Sequence, residues 1–157
     1  MRSKVLLAGV SIFFAAVLLV STAPAAQAAT GECSQARAAG NYGFSDSGTI
    51  VGIGPRAAMG TLAFDAAGNI AGRVTASLSG SIGTTNLSGT YSVNFDCSGT
   101  ATFSESDQSG NLILTTSVEI VWDDNMREAR FLFTSVTLAN GPSLLPVVNG
   151  EARKLVP

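Results

Sequence analysis

Beyond residue 40 the chain alternates apolar and polar residues with a period of two, the signature of strands that bury one face. Tyr42 to Ile53 opens the series, and between 59 and 65 Leu62 and Phe64 share one parity while Thr61, Ala63 and Asp65 share the other. The next segment sets Ile70, Val74, Ala76 and Leu78 against Arg73, Thr75 and Ser77. Leu87, Tyr91, Val93 and Phe95 then oppose Thr90, Ser92 and Asn94, and Ala101 and Phe103 face the core within Thr100 to Glu105. Asn111 to Trp122 is expected to be the longest strand, apolar enough for burial on both faces. Met126 to Ser135 alternates Ala129, Phe131 and Phe133 with Glu128, Arg130 and Leu132, and Val148 to Leu155 ends the series.

Clusters of Asp, Asn, Gly and Ser separate these runs at intervals of roughly ten residues, the spacing of an all-β domain. Asp65-Ala66-Ala67-Gly68-Asn69, Asp96-Cys97-Ser98-Gly99 and Asp123-Asp124-Asn125 each supply acceptor side chains and residues tolerant of positive φ. About eight strands in sequential hairpins predict a single antiparallel meander barrel, closed to remove its edges. A two-sheet β-sandwich is the alternative. Ala139 to Pro146, with its apolar Leu144-Leu145, reads as a loop covering one barrel end, with a ligand gate as the alternative.

Gly60-Thr61 with Phe64-Asp65 and Gly68-Asn69, followed by Gly89-Thr90-Tyr91-Ser92-Val93-Asn94 with Asp96-Cys97-Ser98-Gly99-Thr100, resembles a group of small exported bacterial proteins of unassigned activity. The resemblance spans residues 40 to 135. It implies export and a β fold, and it carries over no functional residue.

Residues 1–28 have the anatomy of a secretory signal peptide: Arg2 and Lys4, an apolar run from Val5 to Val20, and a small-residue tail ending Ala26-Gln27-Ala28. Ser21, Thr22 and Pro24 interrupt the run too early for a spanning helix of about 20 residues. The expectation is therefore a secreted or periplasmic product without a stable membrane anchor, comprising an N-terminal segment at 29–40 and one barrel domain at 41–157. In an oxidising compartment Cys33 and Cys97 are expected to form a disulfide that ties down that segment.

The sequence contains no histidine. That removes Ser-His-Asp and Cys-His catalysis and imidazole metal sites. No phosphate loop is present, and outside the leader the one lysine is Lys154. The net charge of −2, without a basic cluster, argues against nucleic-acid binding. No cofactor is implied. Asp123-Asp124-Asn125 with Glu128 offers oxygen ligands, but the spacing fits no calcium loop and a hairpin turn explains the residues, so no metal is expected.

Two candidate chemistries remain. Glu119, inside an apolar strand, would be a general acid or base if it pointed inward, or a surface partner of Arg130 if it pointed outward. Tyr91, Phe103, Trp122, Phe131 and Phe133 would line the inside of a barrel whose size lies where side chains either fill the interior or leave room for one small ligand. Small inward residues, Gly72, Ala76, Gly89 and Ala101, argue for some unfilled volume. The functional expectation is an exported, non-catalytic barrel that binds a small apolar molecule or serves as a structural or interaction module. The alternatives are an isomerase- or cyclase-like barrel enzyme using carboxylates, by analogy with allene oxide cyclase and dirigent-type barrels, and an adhesive module using Ser/Thr faces and strand edges. Oligomeric state is not encoded legibly.

Overall fold

A computed structural model describes residues 33–156; the leader expected at 1–28 lies outside them. A short helix, α1 (Gln35–Ala38), precedes β1 (Gly40–Ile50), β2 (Gly54–Phe64), β3 (Asn69–Leu78), β4 (Ser81–Val93), β5 (Ser98–Ser106), β6 (Leu112–Asp123), β7 (Glu128–Leu138), the two-residue β8 (Ser143–Leu144) and β9 (Pro146–Lys154). Consecutive strands pair antiparallel from β1 to β7. The last strand, β9, closes the cylinder by pairing with both β7 and β1, placing Leu132 beside Asn149 and Tyr42 beside Lys154.

The result is the expected closed eight-stranded antiparallel barrel, with β8 added against β7. Closure matters physically because it leaves no long unpaired edge among these strands. Several outer hydroxyls pair across strands, as in Thr75 with Thr84 (2.9 Å) and Ser92 with Thr100 (3.1 Å). The adhesive reading therefore lacks the open edges it called for. No helix among the described residues is long and apolar enough to cross a membrane.

Parity decides the core, and three expectations need correction. The longest strand is β4, with 13 residues against 12 for β6. β6 is buried on one face, since Val118, Ile120 and Trp122 point in while Glu119 and Val121 are exposed. Phe95, expected inside, is 87 % exposed. β4 ends at Val93, and the Asn94 to Ser98 turn carries Phe95 out of the pleat, with Cys97 N donating to Asn94 O. In β7 the pairing steps from Phe133 to Ser135, so a bulge at Thr134 shifts the inward parity to Val136.

Large and small residues face each other across neighbouring strands. Phe44 lies opposite Gly60, Phe103 opposite Gly89, and Phe131 opposite Gly150. A Cβ at Gly150 would sit 2.5 Å from the Phe131 ring, and one at Gly60 would sit 2.8 Å from the Phe44 ring. Gly60 and Gly150 thus make room for aromatic rings, while Ala101 lines a small unfilled space between the strands.

One end of the barrel is plugged by the N-terminal segment. Cys33 and Cys97 form the expected disulfide across 64 residues. Ser34 caps α1, Ala38 is fully buried, and the Tyr42 hydroxyl donates to the carbonyls of Ala38 (2.8 Å) and Met126 (2.9 Å). Tyr91 donates to Asp65 O at 2.6 Å and Gln35 O at 3.1 Å. Burial pushes both tyrosine hydroxyls up to about 12. Reducing the disulfide is expected to cost about 4 kcal/mol, because the cross-link across 64 residues restricts the unfolded chain while these hydrogen bonds keep the plug seated. A denaturant midpoint that does not move under reductant would contradict this. At the opposite end, Leu144 packs on the core and Leu145 O accepts from Val51 N at 2.9 Å, while residues 139–143 are exposed.

Two hairpins share one turn chemistry. Asp65 and Asp107 each accept from backbone amides two and four residues on, and from the Asn69 or Asn111 side chain at 2.7 and 2.8 Å. These hydrogen bonds favour the ionised form and hold both carboxyls below the ordinary aspartate value. A depressed folded value means stability that is present above the unfolded pKa and lost as pH falls through the folded one. The D65A/D107A variant should accordingly be less stable than wild type at pH 7, and the gap should narrow on acidification below about pH 4 in thermal melts.

Candidate functional site

The inward parity of three strands carries charge. Asp46 follows Tyr42 and Phe44 on β1, Arg56 precedes Ala58 on β2, and Glu105 follows Ala101 and Phe103 on β5. They are 5 %, 8 % and 4 % exposed. Arg56 Nε donates to Asp46 Oδ1 at 2.9 Å and Arg56 Nη2 to Asp46 Oδ2 at 3.2 Å, a two-pronged pairing that suits the planar guanidinium. The Nη2 of Arg56 also lies 3.8 Å from Glu105 Oε1, and the guanidinium sits 5.4 Å from the centre of the Phe133 ring.

Glu105 is the less satisfied carboxylate. Thr85 donates to its Oε2 at 2.9 Å, whereas Oε1 accepts no hydrogen bond. Desolvation by burial raises its pKa; Arg56 and Thr85 oppose that shift, and the Asp46 charge adds to it. Thr116, the inward β6 residue opposite Phe103, is fully buried with its hydroxyl unpartnered. With Trp122 Nε1 nearer the plugged end, three buried polar atoms without protein partners thus belong to the inner faces of the neighbouring strands β5 and β6.

Beside these charges lies an apolar cavity of about 30 Å³, lined by Phe44, Phe103, Phe131, Phe133, Val118 and Ile120 among others; Asp46, Arg56 and Glu105 border it without presenting a polar atom to it. The rings are in mutual contact: Phe131 stacks on Phe133 at 6.1 Å, and Phe103 meets Phe133 edge-on at 6.4 Å. Such a space holds about two waters or a few non-hydrogen atoms, well below the several hundred Å³ of a drug-sized site.

Among the aromatic candidates, Phe103, Phe131 and Phe133 line this cavity. Tyr91 and Trp122 instead pack at the plugged end, 6.2 Å apart, near the disulfide-tethered segment. Glu119 is exposed on the outer face between Thr100 and Leu132, so it lies outside the cavity. Nor does it pair with Arg130, which sits opposite Val121 and instead reaches Asp123 at 3.2 Å and Glu128 at 3.6 Å. The oxygen-rich turn is occupied by its own contacts. Asp123 caps Asp124 N at 2.7 Å, Asn125 accepts from Arg37, and Glu128 also faces Arg153 at 3.4 Å. The charged trio was missed because charged residues read by default as outward. The available signal was parity, since Glu105 lies two residues beyond inward Phe103.

The sequence matches no protein-family model and no curated protein. Solved structures do share the fold. The redesigned β-barrel mFAP1 bound to DFHBI aligns with a TM-score of 0.50 at 12 % identity, covering 76 % of this chain and 99 % of that one. EF1p2_mFAP2b bound to DFHBI aligns at 0.54 with 9 % identity, covering 78 % and 100 %. The redesigned barrel b11L5F_LGL aligns at 0.50 with 12 % identity, covering 79 % and 100 %.

Proposed function

We propose that this chain is an exported barrel that binds a small apolar molecule within its closed interior, without catalysis. The observation that carries this reading is the apolar cavity walled by Phe44, Phe103, Phe131 and Phe133 inside the barrel. Apolar walls of this kind supply affinity for an apolar molecule. Barrels of the same fold with DFHBI bound are consistent with it. Export rests on the leader pattern and on the Cys33–Cys97 disulfide, which suits an oxidising compartment.

The volume makes xenon the appropriate first probe, because it tests for accessible apolar space without demanding polar recognition. Under xenon pressure, saturable NMR shifts are expected at the methyls of Val118 and Ile120. They should disappear in Ala101→Val, which adds two methyl groups at an inward position lining the cavity. Xenon-insensitive wild-type spectra would overturn the binding reading and leave a packed structural module, the alternative that the small volume favours.

A further inference from the structure

We propose that the barrel end opposite the plug docks on the surface of a zwitterionic lipid bilayer, into which its apolar rim inserts to a shallow depth. The inference is independent of what the cavity holds.

Large apolar side chains are exposed at this end on every second strand around the cylinder. Val51 lies in the β1–β2 turn, Ile82 follows the β3–β4 turn, Leu112 and Ile113 open β6, and Leu145 and Val147 flank the start of β9. Ile82, Leu145 and Val147 are 76 %, 72 % and 66 % exposed. Scattered exposed apolar residues are ordinary, whereas a ring of them at one end of a domain marks a contact surface.

Charge is segregated away from this rim. Segments 47–55, 75–85, 106–116 and 134–149, which build that end, contain one charged residue, Asp107. Its carboxylate accepts from the amides of Ser109 and Asn111 and from the Asn111 side chain. Arg37, Asp123, Glu128, Arg130, Arg153 and Lys154 gather instead at the plugged end. A rim without cations gains nothing from anionic headgroups, so its complement is a neutral interface that rewards buried apolar area alone.

A second copy covers the rim poorly. Eight strands about 4.8 Å apart and tilted by about 40° give an end of about 500 Å² with its side chains, so two stacked ends bury about 1,000 Å², short of the roughly 1,200 Å² where stable specific interfaces begin. Ile82, Ile113 and Val147 also point outward from the flanks of β4, β6 and β9, where an end-to-end partner does not reach. A fluid interface closes around tips and flanks together. Nearer mid-barrel the outer faces carry the hydroxyl pairs Thr75–Thr84 and Thr102–Ser117, which limits insertion to the rim.

Flotation of the exported protein with vesicles of phosphatidylcholine, alone or mixed with phosphatidylglycerol, tests the assignment. The expected result is saturable binding to phosphatidylcholine that changes less than twofold with phosphatidylglycerol or added salt. The variant I82S/L145S/V147S should bind at least tenfold more weakly with an unchanged denaturant midpoint, since all three side chains are exposed. Phe95→Ser, which removes a still more exposed ring from the β4–β5 turn at the plugged end, should bind like wild type. Absence of binding to phosphatidylcholine would overturn the proposal, as would binding that survives the triple variant, the result expected of a retained leader. Binding that requires phosphatidylglycerol and fades with salt would assign the contact to the charged end. A dimer in sedimentation that the triple variant dissolves would assign the rim to a second copy.

Discussion

Arg56→Met is expected to destabilise the barrel by about 4 kcal/mol at pH 7, because it leaves two buried carboxylates without their cation. Asp46 loses both of its guanidinium hydrogen bonds and Glu105 loses its one positive neighbour. Methionine approximates the volume of the arginine stem, so most of the loss is electrostatic. Glu105→Gln should behave oppositely and be at least as stable as wild type at pH 7, since it removes the excess charge and leaves Arg56–Asp46 intact. The sign follows from linkage. Glu105 has a raised folded pKa, so its contribution is fully present below the unfolded value of about 4.3 and is lost as pH rises through the folded value. The groups acting on it are Asp46 on β1, Arg56 on β2 and the Thr85 hydroxyl on β4. Denaturant midpoints measured from pH 4 to 8 should show Glu105→Gln gaining on wild type as pH rises. A gap that stays flat, or a Glu105→Gln loss as large as that of Arg56→Met, would refute the account.

Phe133→Ala is expected to cost about 4 kcal/mol, the usual range for removing a buried phenylalanine. Phe133 is 4 % exposed, stacks on Phe131, meets Phe103 edge-on, and carries the Arg56 guanidinium over its face. Its loss merges the space of one ring with the cavity of about 30 Å³. The same variant should therefore bind apolar probes more tightly than wild type while unfolding at lower denaturant, two opposite changes from one void. Phe95→Ala supplies the contrast. At 87 % exposure that ring buries little, so its removal should change stability by less than about 0.5 kcal/mol. A Phe133→Ala loss no larger than the Phe95→Ala loss would show that the interior repacks freely.

Local signals in the sequence determined the strands, the turns and the fold class. Leu62 and Phe64 face inward because alternation is imposed by the pleat, and Asp65-Ala66-Ala67-Gly68-Asn69 turns because its acceptors lie within four residues of their donors. The disulfide was legible from compartment chemistry and the presence of two cysteines. What the residues of one strand cannot specify is which neighbour fills the space beside them. Gly60, Gly89 and Gly150 look like gaps until closure sets Phe44, Phe103 and Phe131 across from them. The bulge at Thr134 is equally invisible, since it arises from pairing β7 against β6. The inward charges were the most consequential omission. Asp46, Arg56 and Glu105 lie 10 and 49 residues apart along the chain, and each alone would be better solvated outside. Only the closed barrel brings them together, where mutual pairing offsets desolvation and leaves one carboxylate oxygen of Glu105 buried without a hydrogen-bond partner.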